Sequence, residues 1–234
     1  MGWTFRAALS PALQRAYGWV GVLLWAHGFP PSAPVVSELT HISLLAGSAL
    51  AVPLFMLESG AGRAAHAFMR LLLAVGGVLA SHIIVSWLWQ LNDALVATIA
   101  KVAGSVAVPS PGFGSTLVDL LVFGLPYLLM LVFLAGLLLA RLAAIALLAS
   151  VAPLAFLLGI HRSLVRVPML WLWQIAAWSV LPAAEAFILV AVRGLAGELA
   201  IAVPASDMLL SLVLLFFMLR LPFTLLGAWR RLMP

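Results

Sequence analysis

The chain has 234 residues, of which 65% are hydrophobic and 8% are charged, and its mean hydropathy is +1.22. A soluble protein of this size needs far more polar side chains to cover its surface, so the composition excludes an ordinary soluble domain and indicates an integral membrane protein. The absence of cysteine excludes disulfides, thiolate metal sites and cysteine nucleophiles, and the excess of 12 Lys and Arg over 7 Asp and Glu is typical of basic cytoplasmic loops.

The first third of the chain predicts three membrane-spanning helices. An apolar run at 17–29 ends at the prolines of FPPSAP and is short for a span, and 41–57 is a second candidate. The segment 58–63, ESGAGR, is predicted to be a short turn. The third candidate, 65–89, carries small residues that are expected to let a neighbouring helix approach closely. These predicted helix-packing residues are Gly76, Gly77, Ala80 and Ser81.

The sequence after the third candidate predicts an interfacial helix and two further spans. Residues 91–103 place apolar side chains at helical spacing with Asp93 and Lys101 among them, and a loop rich in proline and glycine follows. We therefore expect 91–103 to form an interfacial helix at the membrane surface. The two further spans are predicted at 169–192 and 207–227.

The apolar stretch from Leu117 to Ile160 lies between these elements and is about twice the ~20 residues that one span needs. Arg141 divides it into two parts. The first part, 117–140, is expected to cross the membrane. In the second part, 142–160, Pro153 lacks the N–H that a regular helix requires, so we predict that this segment is broken or re-entrant and does not cross as a simple span.

The basic residues cluster in particular segments, and cytoplasmic loops of membrane proteins are rich in Lys and Arg. If 142–160 does not cross, the basic clusters all fall on one face; they are Arg6 with Arg15, Arg63 with Arg70, Arg141, Arg162 with Arg166, and Arg230 with Arg231. We therefore predict an all-α, multi-pass protein with a single helical transmembrane domain over 1–234, about six crossings and both termini cytoplasmic. If 17–29 does not span, about five crossings remain and the N-terminus is outside.

Two ionisable residues lie inside predicted spans. Glu185 follows Pro182 by three residues, and a carboxyl group at that depth either lines a lumen or proton pathway or is a protonated, hydrogen-bonded contact between helices. His82 lies in the middle of the third candidate, where it is either a packed, hydrogen-bonded side chain or an axial haem ligand. Both alternatives stay open for each residue.

The sequence contains no Gly-rich phosphate loop, HExxH motif, paired carboxylates at helical spacing or nucleophile elbow, so no catalytic residue, metal site or cofactor is predicted. The pattern ARLAAIALLASVAPLAFLLGIHRSLVRVPMLWLWQ, preceded by LNDALVATI, resembles the TrbL/VirB-type polytopic inner-membrane subunits of type IV secretion and conjugation machines. In length the chain is closer to compact versions of these subunits, such as those proposed for archaeal DNA exchange. The resemblance covers roughly residues 85–192. It is a pattern of hydrophobicity with a few residues at characteristic positions, and not a sharp motif.

The resemblance implies a non-catalytic subunit of an oligomeric channel or pilus-assembly platform in the cytoplasmic (inner) membrane. Its implied partners are membrane lipid, further copies of itself, other secretion-machine subunits including a cytoplasmic ATPase, and DNA or pilin in transit. Arg141, Arg162 and Arg166 would then lie at the cytoplasmic mouth and contact a polyanion. The alternatives are a small-solute permease or transporter subunit lined by Glu185 and the helix broken at Pro153, and a membrane anchor of a respiratory complex.

Overall fold

The computed structural model describes residues 2–25, 32–103, 120–200 and 206–232, and within these ranges it contains helices and no β-strand. The α-helices are α1 Gly2–Trp25, α2 Pro34–Glu58, α3 Ala64–Ala103, α4 Leu125–Leu158, α5 Val167–Ala200 and α6 Ser206–Leu232. π-Helical turns at Ser59–Arg63 and Leu120–Gly124 precede α3 and α4, and a 3₁₀ turn at Arg162–Leu164 precedes α5.

Three described stretches are long and apolar enough to cross a membrane, namely Pro34–Ile99, Val122–Leu158 and Arg162–Ala191. The prediction of an all-α protein with membrane-spanning helices is therefore confirmed at this level, and the number of crossings stays a prediction. Residues 26–29 and 117–119 of the predicted first and fourth spans lie outside the described residues, as does most of the loop after 103.

The chain changes direction between α2 and α3 at Gly62, as the ESGAGR segment predicts. Gly62 has a φ of 75°, in the left-handed region, while the residues on either side of it continue in helical conformation. This conformation carries little steric cost for glycine because glycine has no Cβ. The longest apolar stretch, Pro34–Ile99, therefore consists of two helices joined by a turn and not of one uninterrupted rod.

The predicted interfacial helix at 91–103 is not a separate element, because α3 continues through it to Ala103. Between Gly77 and Ala103 the sequence contains neither glycine nor proline, so nothing in the local chain ends the helix after the apolar part. At 1.5 Å per residue, α3 is about 60 Å long and exceeds the ~30 Å hydrocarbon core of a bilayer. Similarly, α5 continues to Ala200, beyond residue 192 where the predicted span ends.

The predicted break at Pro153 is also absent, because α4 is one 34-residue helix that continues past this proline to Leu158. Proline leaves one helical carbonyl without its usual donor, here that of Ala149. Side chains of neighbouring helices donate to the carbonyls on either side of it. The Trp171 indole Nε1–H donates to Leu148 (2.6 Å), and the Ser43 hydroxyl donates to Ser150 (2.5 Å). These two hydrogen bonds connect α4 to α5 and α2 on either side of the Ala149 carbonyl.

The described chain divides into two compact units. Unit 1 comprises Met1–His27, Asp93–Ala140 and Leu181–Pro234, and unit 2 comprises Gly28–Asn92 and Arg141–Val180. The core of unit 1 is formed by buried apolar side chains from four helices, α1, α4, α5 and α6. They are Leu13, Ala16, Val20, Tyr127, Leu131, Leu134, Ala135, Leu138, Leu189, Leu214, Leu215 and Met218. The prediction of a single domain over 1–234 stays a prediction.

Within unit 2, α2 runs parallel to α4. Near the beginning of α2, the Ser43 hydroxyl donates to the carbonyl of Ser150. At the end of α2, the Glu58 carboxylate accepts a hydrogen bond from the backbone N–H of Arg162, just beyond the end of α4. Residue numbers therefore rise together along the two helices, which requires that they point the same way.

In contrast, α3 runs antiparallel to α4. Gly77 lies against the ring of Phe156, so closely that an added Cβ would overlap it. Further along α3, Val85 belongs to the same buried cluster as Ala152, which precedes Phe156 in α4. The α2–α3 turn (residues 59–63) therefore lies at the same end of unit 2 as the turn that follows α4.

Candidate functional site

The most polar part of unit 2 is centred on Glu58, whose side chain is 6% exposed. Its Oε1 accepts the backbone N–H of Arg162 at 2.6 Å and lies 3.5 Å from Nη1 of Arg70. Its Oε2 lies 3.9 Å from Nη1 of Arg63. One buried carboxylate thus connects the α2–α3 turn, the first part of α3 and the α4–α5 turn (residues 159–166).

These contacts offset an unfavourable position for a carboxylate. Glu58 is the last residue of α2, where the helix dipole is negative and repels an acidic side chain. Burial would further penalise the charge if no donors were present. Arg70 and the Arg162 N–H supply donors, and Arg63 adds a positive charge nearby, so the ionised carboxylate holds the two turns together.

Sequence reasoning did not identify Glu58 as a site residue. The available signal was one acidic residue at the end of an apolar helix, followed closely by Arg63 and Arg70. The third partner could not be found this way, because Arg162 is 104 residues away in the chain.

The α4–α5 turn has a defined local structure on the exposed side of Glu58. The backbone N–H of Ser163 donates to Nδ1 of His161 at 3.4 Å, so His161 caps the short 3₁₀ turn. The Ser163 hydroxyl lies 2.7 Å from the same nitrogen. This arrangement fixes the turn so that the backbone N–H of Arg162 faces Glu58 while its side chain is exposed.

Two cavities adjoin this cluster. The first has a volume of about 400 Å³ and is lined by Leu57, Glu58, Ala61, Arg63, His161, Arg162 and Ser163. The second has a volume of about 300 Å³ and is lined by Arg70, Leu73, Ala74, Phe156, Gly159, Val165 and Pro168. Apart from Arg70 the second lining is apolar, and Arg70 connects the two cavities because its guanidinium group contacts Glu58.

The structure separates the three arginines that were predicted to share a cytoplasmic mouth. Arg162 and Arg166 are exposed in the α4–α5 turn. Arg141 is 1% exposed and lies in the middle of α4, about 25 Å along the helix from Leu158 at 1.5 Å per residue. Arg141 is thus a buried residue of an apolar helix and not a neighbour of the other two.

The two ionisable residues predicted inside spans occupy different environments. Glu185 is 2% exposed within α5, which continues through Pro182. His82 lies on an exposed face of α3, beside Ile83, which is 68% exposed. Among the described residues no group of three or more His, Cys, Asp or Glu side chains could hold a metal ion. The haem-ligand interpretation of His82 stays a prediction.

The predicted helix-packing residues of α3 do not all face the same way. Gly77 packs against Phe156, and Ser81 is buried, with its hydroxyl donating to the carbonyl of Val78 at 2.7 Å. Ala80 is half-buried. Gly76 is exposed, and a Cβ added there would meet no described atom within 4 Å.

No family model, curated protein or solved structure matches this chain. A function must therefore be argued from the arrangement of its own residues. The resemblance to TrbL/VirB-type subunits stays a prediction based on the pattern in roughly residues 85–192.

Proposed function

We propose that this chain is a non-enzymatic integral membrane subunit of a type IV secretion- or conjugation-like complex, part of an oligomeric channel or assembly platform in the cytoplasmic membrane. The observation that carries the proposal is the gathering of basic residues at one end of unit 2. Arg63 and Arg70 come from the α2–α3 side, and Arg162 and Arg166 come from the α4–α5 turn. This end faces the cytoplasm and the polyanionic cargo or ATPase of the machine.

The basic end faces the cytoplasm also with a continuous α4, but for a different reason. A full crossing by α4 returns the chain to the side from which α3 started, because α3 and α4 are antiparallel. The two basic turns then share one face without any re-entrant segment. With α1 and α6 also crossing, six crossings and two cytoplasmic termini follow.

Cysteine labelling tests the orientation, and the cysteine-free chain makes each introduced thiol unique. Gly60→Cys in the α2–α3 turn and Ser163→Cys in the α4–α5 turn should both resist a membrane-impermeant reagent in intact cells. Val35→Cys, at the opposite end of α2 and in an exposed position, should react. Labelling of Gly60→Cys and Ser163→Cys from opposite faces would contradict the proposed topology.

A transfer assay in the native host tests the role itself. Replacing Arg162 and Arg166 together by Gln should reduce DNA or pilin transfer while the protein still inserts, because both charges lie where the cargo would pass. Arg220→Gln is the matched control, since Arg220 is also exposed but belongs to α6 of unit 1. Equal transfer by both variants and the wild type would count against a secretion subunit, as would failure of the chain to copurify with a transport ATPase.

A small-solute permease is the second candidate, and the buried Glu185 favours it. Glu185 is buried within α5, three residues after Pro182, and intramembrane carboxyl groups commonly mark transport pathways. Uptake by liposomes that contain the purified chain, lost in Glu185→Gln, would favour this function over the first.

A further inference from the structure

The basic end of unit 2 combines an excess of positive charge with an adjoining apolar cavity. We call Arg63, Arg70, His161 and Arg162 the basic corner. Three of these carry guanidinium groups, and the carboxylate that they surround is that of Glu58 alone among the lining residues. Since the one negative charge neutralises only one of the three positive charges, the basic corner attracts an anion even with Glu58 ionised.

Glu58 does not fill the hydrogen-bonding capacity of these arginines. Arg70 approaches Glu58 with Nη1 only, at 3.5 Å, and Arg63 does so at 3.9 Å, beyond ordinary hydrogen-bond distance. A guanidinium group has five N–H donors, so most of them remain available to a ligand. The Arg63 side chain is 47% exposed and the Arg70 side chain 28% exposed, which leaves both accessible from the 400 Å³ and 300 Å³ cavities respectively.

The apolar cavity next to the basic corner opens on the outer surface of the helices. Leu73 and Val165, which line it, are 71% and 50% exposed. Phe156 and Pro168 form its inner wall, beside Gly159. In a membrane, an apolar cavity that opens sideways near a helix end faces the acyl chains just below the headgroups.

We propose that this region binds an anionic phospholipid. The phosphate is held by Arg63 and Arg70, and an acyl chain lies in the apolar cavity between Leu73 and Val165. The depth is suitable, because α2 is about 37 Å long at 1.5 Å per residue, so its charged end at Glu58 reaches the headgroup level of a ~30 Å core. Basic pockets between transmembrane helices are known sites for anionic headgroups. This site is independent of the secretion role proposed above.

The test uses the purified full-length protein in a neutral detergent. Its thermal unfolding is followed while phosphatidylglycerol, or phosphatidylcholine with the same acyl chains, is added. The anionic lipid should stabilise the protein at lower concentration than the zwitterionic one. Arg63→Gln should weaken the apparent affinity for phosphatidylglycerol about fivefold, the ratio that corresponds to about 1 kcal/mol per basic residue near a membrane surface.

Arg166→Gln is the control, because Arg166 belongs to the α4–α5 turn beside the basic corner, is exposed and lines neither cavity. It should change the affinity less than twofold. A second variant, Val165→Trp, places a large ring at the mouth of the apolar cavity and should also weaken phosphatidylglycerol binding. Both Arg63 and Val165 are about half exposed, so the variants are expected to fold.

Two soluble anions separate a lipid site from other anion sites. Inorganic phosphate and a short DNA duplex, added at equal charge concentration, should stabilise the protein far less than phosphatidylglycerol. Equal stabilisation by inorganic phosphate would identify a free-anion site and overturn the proposal, and displacement of the lipid by DNA would identify a nucleic-acid surface instead. Equal responses to the two lipids, or equal effects of Arg63→Gln and Arg166→Gln, would also overturn it.

Discussion

Two adjacent glycines of α3 provide a sharp test of how unit 2 packs. An alanine at position 77 would place its Cβ 2.6 Å from Cε1 and 2.8 Å from Cγ of Phe156, where about 3.4 Å is ordinary contact. The ring cannot simply rotate away, because it packs edge-on against Trp171 with ring centroids 5.4 Å apart. Overpacking of this kind costs about 1–3 kcal/mol. Replacing glycine by alanine within a helix gains up to about 1 kcal/mol.

Gly76→Ala is the matched control, since a Cβ there meets no described atom and the helical gain is the same. The difference in the free energy of unfolding between Gly77→Ala and Gly76→Ala should therefore be about 1–3 kcal/mol, with Gly77→Ala less stable. Equilibrium unfolding in mixed micelles with a denaturing detergent measures it. In a Phe156→Leu background the difference should largely disappear. Equal stability of the two alanine variants in the wild-type background would refute the close approach of α3 and α4.

The remaining predictions concern the α2–α3 turn and the donor next to Pro153. Gly62→Ala should destabilise the protein by about 1–2 kcal/mol, because alanine is strained at a φ of 75°, whereas Gly60→Ala should be nearly neutral in the same unfolding titration. If both variants unfold alike, Gly62 does not hold the turn. Trp171→Phe keeps the ring but removes the N–H that donates to Leu148, and it should cost about 0.5–1.5 kcal/mol. An unchanged stability would show that this donor does not support α4.

Local sequence information was sufficient for the α2–α3 turn and for the length of α3. The ESGAGR turn was predictable because glycines favour turns, and Gly62 takes the left-handed conformation that other residues avoid. The continuation of α3 to Ala103 was also predictable, because neither glycine nor proline occurs between Gly77 and Ala103. The polar residues Asp93 and Lys101 favoured a separate interfacial helix instead, and polarity alone does not end a helix.

The prediction of a broken helix at Pro153 was wrong for a different reason. A proline in an apolar segment removes a backbone donor, and the sequence does not show whether packing against other helices keeps the segment helical. In the structure, Trp171 and Ser43 supply donors to the neighbouring carbonyls from 23 and 107 residues away. Proline also lies inside α2, α5 and α6, at Pro53, Pro182 and Pro222, so a proline alone does not end a helix in this chain.

The sequence by itself determined that this is an all-helical protein with apolar helices able to cross a membrane. Composition and the positions of glycine and proline are local properties of the chain. Only the tertiary structure decided that the α2–α3 and α4–α5 turns meet around Glu58 and that Arg141 lies apart from Arg162. The physical reason is that a buried carboxylate takes its donors from whichever segments the packing brings beside it. Helix directions and close approaches such as that of Gly77 to Phe156 fix those neighbours. No local sequence pattern specifies which segments become neighbours.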